Sequence, residues 1–370
     1  MSFEKEYIDV FLVPTGLLIM LVYHLFLLFE YINKPLSTSI GYENNDKRIW
    51  VGKILQLQGD DLRKSVKSAL NVITSSTTAT IYLATISLTL CPLIGAWMAN
   101  NTTNFFPREL IYGNTSASIV SIKYICLLSC FLLGFSCFVQ SARNFVHSSF
   151  LLSTPGVAAK SDAKKVERAV QRGSELWLLG LRALYCALNF LLWFFGPIPM
   201  FVSSIVMVLI LGCHNFRSDN QKAGLKDQHQ EKLNADTNDV AVEDKVSTGL
   251  GVISSNTSAT MTLESISLTL GALIGVWIAS STTKFVPLEM VYGNISESII
   301  SIKYLCLLSC LLLAFSFFVQ SARHFIHSNY LLSTPGATKE EDVEKVQKAV
   351  ERGSIFWSLG LRSLYFGLNF

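Results

Sequence analysis

Charged residues are scarce in this chain. Asp, Glu, Lys and Arg make up 15% of 370 residues, and half of the sequence is hydrophobic. Soluble chains carry about 25% charged residues, so the deficit excludes an ordinary soluble domain and points to a membrane protein. The net charge of +3 is small and dispersed. No basic run interleaves with aromatics, which excludes a nucleic-acid surface. The eight cysteines lie almost entirely in apolar runs, and none forms a CxxC pair. That excludes a zinc knuckle and a disulfide framework, and leaves cysteine as a small apolar packer. Cys126, Cys130 and Cys137 share a helix face, but Phe317 stands where a repeat of Cys137 would be. That counts against a three-thiolate metal site.

Catalytic signatures are also missing. There is no GxGxxG, HExxH or GxSxG, and no phosphate-cradling loop. The chain reads as a non-enzyme with no cofactor. Its N-terminus "MSFEKEYIDV" lacks a basic leader, and the apolar run behind it is about 20 residues long, the length of a retained membrane helix.

What is present is a repetition. Residues 72–190 align with 252–370 at a constant shift of 180 without a gap, and 74 of the 119 pairs are identical. Such self-similarity is an internal duplication. The second copy has no counterpart of the first helix or of the following loop, "KPLSTSIGYENNDKRIWVGKILQLQGDD". The fold class expected is all-α: a polytopic helical transmembrane bundle with an incomplete internal tandem repeat.

A complete membrane unit spans 1–215, with helices at about 10–31, 72–99, 119–140, 176–195 and 199–213. A polar stretch over 216–250 reads as a cytoplasmic linker. A partial unit spans 251–370, with helices at about 252–279, 299–320 and 356–370. "GPIP" at 196–199 breaks the run 176–213, which predicts a helical hairpin; the rival is one kinked helix.

Lysine and arginine crowd the loops after the first and third helices, and the intervening loop holds only Arg108. The positive-inside rule then puts the basic loops in the cytoplasm and the N-terminus outside or in a lumen, in a plasma membrane or endomembrane. Glycosylation-type triplets at Asn101, Asn114 and Asn294 fall on the outer side.

Several polar residues sit inside apolar helices. Thr74, Thr78, Tyr82, Thr85 and Thr89 fall on one helical face, and the second copy has a hydroxyl at each matching position, from Ser254 to Thr269. Such a stripe either lines a polar pathway or marks close helix packing. Arg182 lies about ten residues beyond Arg172, ~15 Å into the membrane if helical, and Arg362 repeats it. An intramembrane arginine snorkels, pairs or handles a ligand. Glu264, which replaces Ala84 of the first copy, is expected to pair with Arg362. His24 stands alone in the first helix, with a structural role preferred over a proton relay. Lys123 and Lys303 are placed to snorkel, and His147, His324 and His327 at the membrane interface.

Five stretches in order resemble a known family: "LVPTGLLIMLVYHLFLL", "STSIGYENNDKRIWV", "KYICLLSCFLLGFSCFVQSAR", "RGSELWLLGLRALY" and "FLLWFFGPIPMF". Together they are similar to the domain of unknown function 599 family, over about 8–215 and again over 252–370. The resemblance implies a multi-pass membrane protein of a kind common in plants and also found in bacteria. It brings no catalytic residue, substrate or cofactor. The functional expectation is a small-solute or ion transporter or channel-like protein, or alternatively a non-catalytic membrane scaffold. Its partners would be the lipid bilayer and helix-packed homo- or hetero-oligomers, with no nucleic acid.

Overall fold

A computed structural model describes residues 3–100, 117–154, 160–216, 239–280, 297–335 and 340–369. Among these residues the chain is all-α: nine α-helices and one short 3-10 turn, with no strand. The first unit holds α1 (Phe3–Asn33), α2 (Ser39–Gln56), α3 (Gly59–Asn100), α4 (Ala117–Ser153), α5 (Lys160–Trp193) and α6 (Pro197–Phe216). The second holds α7 (Asp239–Ser280), α8 (Glu297–Leu332) and α9 (Glu340–Leu368). Asn101, Asn114 and Asn294 lie outside the described residues.

Among the described residues, four helices contain stretches long and apolar enough to cross a membrane: Ile8–Asn33, Ser118–Ser153, Ala163–Trp193 and Cys306–Leu332. Helices also run beyond the expected apolar limits. α3 begins at Gly59 rather than near 72, α4 continues to Ser153, α9 begins at Glu340 rather than near 356, and α7 takes in part of the expected linker. An apolar run marks what lipid covers, whereas helical hydrogen bonding continues through an amphipathic extension. α2 lies in the stretch expected to be a loop. Thr38 caps it, its Oγ1 accepting from the Gly41 amide at 3.2 Å.

The run 176–213 divides at residues 194–196 into α5 and α6. Gly196 has φ +128°, a backbone state that glycine tolerates, and Pro197 opens α6, where its missing N–H is not needed. α6 turns back against α1 as well as α5.

Each unit is built on the same seam. Phe138 and Phe145 on α4 press into the backbone at Gly180 and Gly173 on α5. Phe318 and Phe325 press onto Gly360 and Gly353 in the second copy. A Cβ on any of these glycines would come within 2.6–2.9 Å of the phenylalanine ring. Ser141 donates to the Gly173 carbonyl at 2.6 Å, and Ser321 to that of Gly353 at 2.8 Å. Seven-residue spacing of Phe on one helix and Gly on the next thus fixes the register of both hairpins.

The units differ in how they are buried. α8 of the second unit packs against α2 and α3 of the first, and α7 lies against α3. Along α8 the heptad-spaced residues Ser316, Gln320, Arg323, His327 and Tyr330 are all buried. Their equivalents on α4, Ser136, Gln140, Arg143, His147 and Phe150, are all exposed.

Candidate functional site

Two polar sites lie between the units. The first is an ionic cluster where α2 meets α8. Arg323 donates to both oxygens of Glu43, Nη2 to Oε1 at 2.8 Å and Nε to Oε2 at 3.4 Å. Both side chains are less than a tenth exposed. His327 Nε2 lies 3.5 Å from Asp46 Oδ2, an electrostatic contact rather than a hydrogen bond. Lys47 donates to Ser174 Oγ on α5 and sits 5.2 Å from the centre of the Tyr330 ring. Trp50 meets Tyr330 edge to face at 4.8 Å and donates to Ser333 Oγ at 2.8 Å. The Tyr330 hydroxyl is 3.1 Å from Ser76 Oγ on α3.

Burial sets the titration of the α2 charges. It raises the Asp46 carboxyl to about 7, opposed by Lys345, which favours the anion. It lowers the Lys47 ammonium to about 8, opposed by the attraction of Glu43. Two small cavities adjoin the cluster. One of about 20 Å³ lies between Lys47, Ser76, Ser174 and Arg323, and one of about 30 Å³ between Ser39, His324, His327 and Arg352. Each has room for about one water.

The second site is a cleft of about 670 Å³ between α3 and α7. Thr74, Thr78 and Tyr82 line one wall, Ser254, Thr257 and Ser258 the other, with Lys64 and Lys67 toward one end. The two hydroxyl stripes therefore face each other across open space. Apart from Thr257, which does both, different hydroxyls carry the packing on these helices. Ser76, Thr80, Ser87, Thr257, Thr260 and Ser267 are buried, each bonded to the carbonyl four residues back at 2.7–3.1 Å. Thr85 and Thr89 continue the stripe beyond the cleft. They are exposed, with hydroxyls turned to the Ile81 and Thr85 carbonyls at 3.0 and 2.9 Å.

The remaining candidates lie apart from the cleft. His24 is half-buried, its Nδ1 2.7 Å from the Met20 carbonyl and its Nε2 buried without a hydrogen bond. Arg182 is close enough for the two charges to interact, and its own neighbours are Tyr23, Cys186 and Arg323. The expected pairing of Glu264 with Arg362 does not form. Glu264 is 1% exposed with neither carboxyl oxygen hydrogen-bonded, while Arg362 is exposed on the outward side of α9. Glu264 lies instead near Tyr185, whose hydroxyl accepts from Gln320 Nε2 at 2.9 Å. Equal depth on two helices does not make a pair when one residue points away.

Two further expectations are corrected. Lys123 does not snorkel: it is 3% exposed, and its ammonium donates to the Trp193 carbonyl at 3.1 Å. The last residue of α5 offers it an acceptor inside the protein. His324 and His327 are buried beside the ionic cluster rather than interfacial, while His147 is exposed.

Glu43, Asp46, Lys47 and Trp50 were not singled out residue by residue from the sequence. The available signal was charge within a stretch that the second copy omits.

Apolar helices of spanning length, a charge-poor composition and a repeated unit describe a membrane protein. No curated protein and no solved structure matches the chain. It does match the family described as protein of unknown function, DUF599, over residues 11–220 and again over 238–370. The chain belongs to that family and carries its unit once whole and once in part.

Proposed function

We propose that this is a multi-pass membrane protein that passes a small polar solute or ion along the cleft between α3 and α7. The observation that supports this reading is the pair of hydroxyl stripes facing each other across about 670 Å³. Hydroxyls that serve packing are buried and satisfied by their own helix, whereas those of the cleft line space. In a lipid setting such a surface favours polar contents over acyl chains. Lys64 and Lys67 give one end a positive potential, which favours an anionic or neutral polar solute over a cation. In this reading α2 and the basic loops are cytoplasmic and the N-terminus is outside.

The test is thiol accessibility. Single cysteines at Thr74, Thr78, Ser254 and Ser258, in a background lacking the native cysteines, are treated with a membrane-impermeant thiol reagent. Labelling at all four is expected, with none at buried Leu83 or at Leu88, which is exposed away from the cleft. Silence at the four positions in well-expressed protein would rule out a water-filled path.

The second reading is a non-catalytic membrane scaffold. The exposed polar face of α4 favours it, because that face has the sequence of one buried elsewhere in the same chain.

A further inference from the structure

The cavity of about 20 Å³ in the ionic cluster has donors in its wall that nothing accepts from. α2 brings Glu43 and Lys47 to it, α5 brings Ser174 and Trp177, and α8 brings Arg323 and Tyr330. Each of the six is less than a tenth exposed. Both oxygens of Glu43 are engaged by Arg323. Lys47 has three N–H groups, and its one hydrogen bond goes to a neutral hydroxyl, Ser174 Oγ. Trp177 Nε1 is buried without a hydrogen bond, and an indole nitrogen can only donate. Two cations and one carboxylate line the space, an excess of one positive charge. Asp46 is not part of this wall, and Lys345 attracts it elsewhere in the cluster.

We infer that this cavity holds one small monatomic anion, of the size and charge of chloride, between the Lys47 ammonium and the Trp177 indole N–H. A water needs about 10–15 Å³, so the space admits one particle slightly larger than a water and is too small for a phosphate or a carboxylate. Lys47 and Arg323 repel a cation. A water would accept from one or two of the free donors and leave the positive charge uncompensated, which is costly in an interior. A halide accepts from several donors at once and cancels the charge.

The site belongs to the joint between the units. Trp357 and Ser354 repeat Trp177 and Ser174, but the second unit has no α2 to supply a lysine, and α4 has Phe150 where α8 has Tyr330. The walls come from both units, so the anion ties α2 and α5 of the first to α8 of the second. The inference rests on this cluster and is independent of the cleft between α3 and α7.

The test is anion-dependent stability of the full chain in detergent. Thermal unfolding is followed at about pH 6.5, where Lys47, titrating at about 8, is charged. Sodium gluconate is replaced by sodium chloride at constant ionic strength, so that screening does not change. A saturating rise in unfolding temperature is expected, as for any ligand that binds the folded state. Bromide should reproduce it. Trp177→Phe keeps a ring and removes the N–H. It should raise the chloride concentration for half the effect by about tenfold or more, the worth of one hydrogen bond to a charged group. Lys47→Met should abolish the response, and Trp357→Phe, at the equivalent position of the second unit, should leave it unchanged. Equal unfolding temperatures in chloride and gluconate would mean that the cavity holds water only, and would overturn the inference. So would a chloride response that persists unchanged in Trp177→Phe and Lys47→Met, since the anion would then lie elsewhere. The parent titration needs no variant and Trp177→Phe is the milder change, so the two together decide the matter even where Lys47→Met does not fold.

Discussion

Arg323 lays its guanidinium across both carboxylate oxygens of Glu43, joining the second unit to a helix that only the first unit has. The equivalent Arg143 stands exposed. One sequence position therefore has two physical environments in one molecule. Removing one member of a buried ion pair costs about 3–5 kcal/mol, because the other charge is left without compensation. Arg323→Met should destabilise the detergent-solubilised protein by that order. Arg143→Met should shift it by no more than about 0.5 kcal/mol, as an exposed substitution does. Unfolding monitored by the release of buried thiols would separate the two.

Stability should depend on pH in an uncommon way. Asp46 titrates at about 7 when folded, above its ordinary 3.8, so the folded protein holds a proton that the unfolded chain releases. Stability from that group falls as pH rises from about 4 to 7. Lys47 titrates at about 8, below its ordinary 10.5, so the folded protein gives up a proton that the unfolded chain keeps. Stability from that group rises between about 8 and 10.5. Each limb is read as the difference between a variant and the parent, because His327 beside Asp46 adds a dependence of its own. Asp46→Asn should flatten the acid limb and Lys47→Met the alkaline limb, measured as unfolding temperature across pH 5–10.

The glycine seams should resist enlargement. A Cβ at Gly180 would meet the buried Phe138 ring at 2.6 Å, so Gly180→Ala should cost about 1–3 kcal/mol by overpacking. Gly360→Ala should do the same against Phe318 at 2.7 Å. Gly52 in α2 has nothing within 4 Å of an added Cβ, and Gly52→Ala should gain up to about 1 kcal/mol of helix propensity. Thermal unfolding of the three variants tests the contrast.

Glu264 is the clearest local penalty in the interior. Its carboxyl is buried without a hydrogen bond, and such a group costs about 1–3 kcal/mol. Glu264→Met, similar in volume and apolar, should raise stability by that order. A fall instead would mean that the carboxyl has a stabilising contact in the membrane.

The duplication, the all-α class and the hydroxyl stripe were legible because each is periodic or repeated along the chain. The ionic cluster was not. Glu43 and Arg323 are 280 residues apart, and the stretches around Arg143 and Arg323 are nearly identical, so no local pattern tells which one is buried. α2 was hidden for a related reason. It buries charged residues as well as apolar ones, so its sequence lacks the one-sided contrast that identifies a surface helix. Arg362 repeats Arg182 in sequence, but it is exposed where Arg182 has α1 beside it, a helix that its own unit lacks.

The phenylalanine-on-glycine seams make each helical hairpin a stiff panel, with ring against backbone and little room to slide. The joint between panels is different in kind: a few long polar side chains beside cavities the size of single waters. Rearrangement is therefore cheapest at the joint, where rotamers and waters can change without repacking a core. The cleft between α3 and α7 opens along that same boundary. The Arg323–Glu43 pair and the cleft therefore belong to one joint between the units.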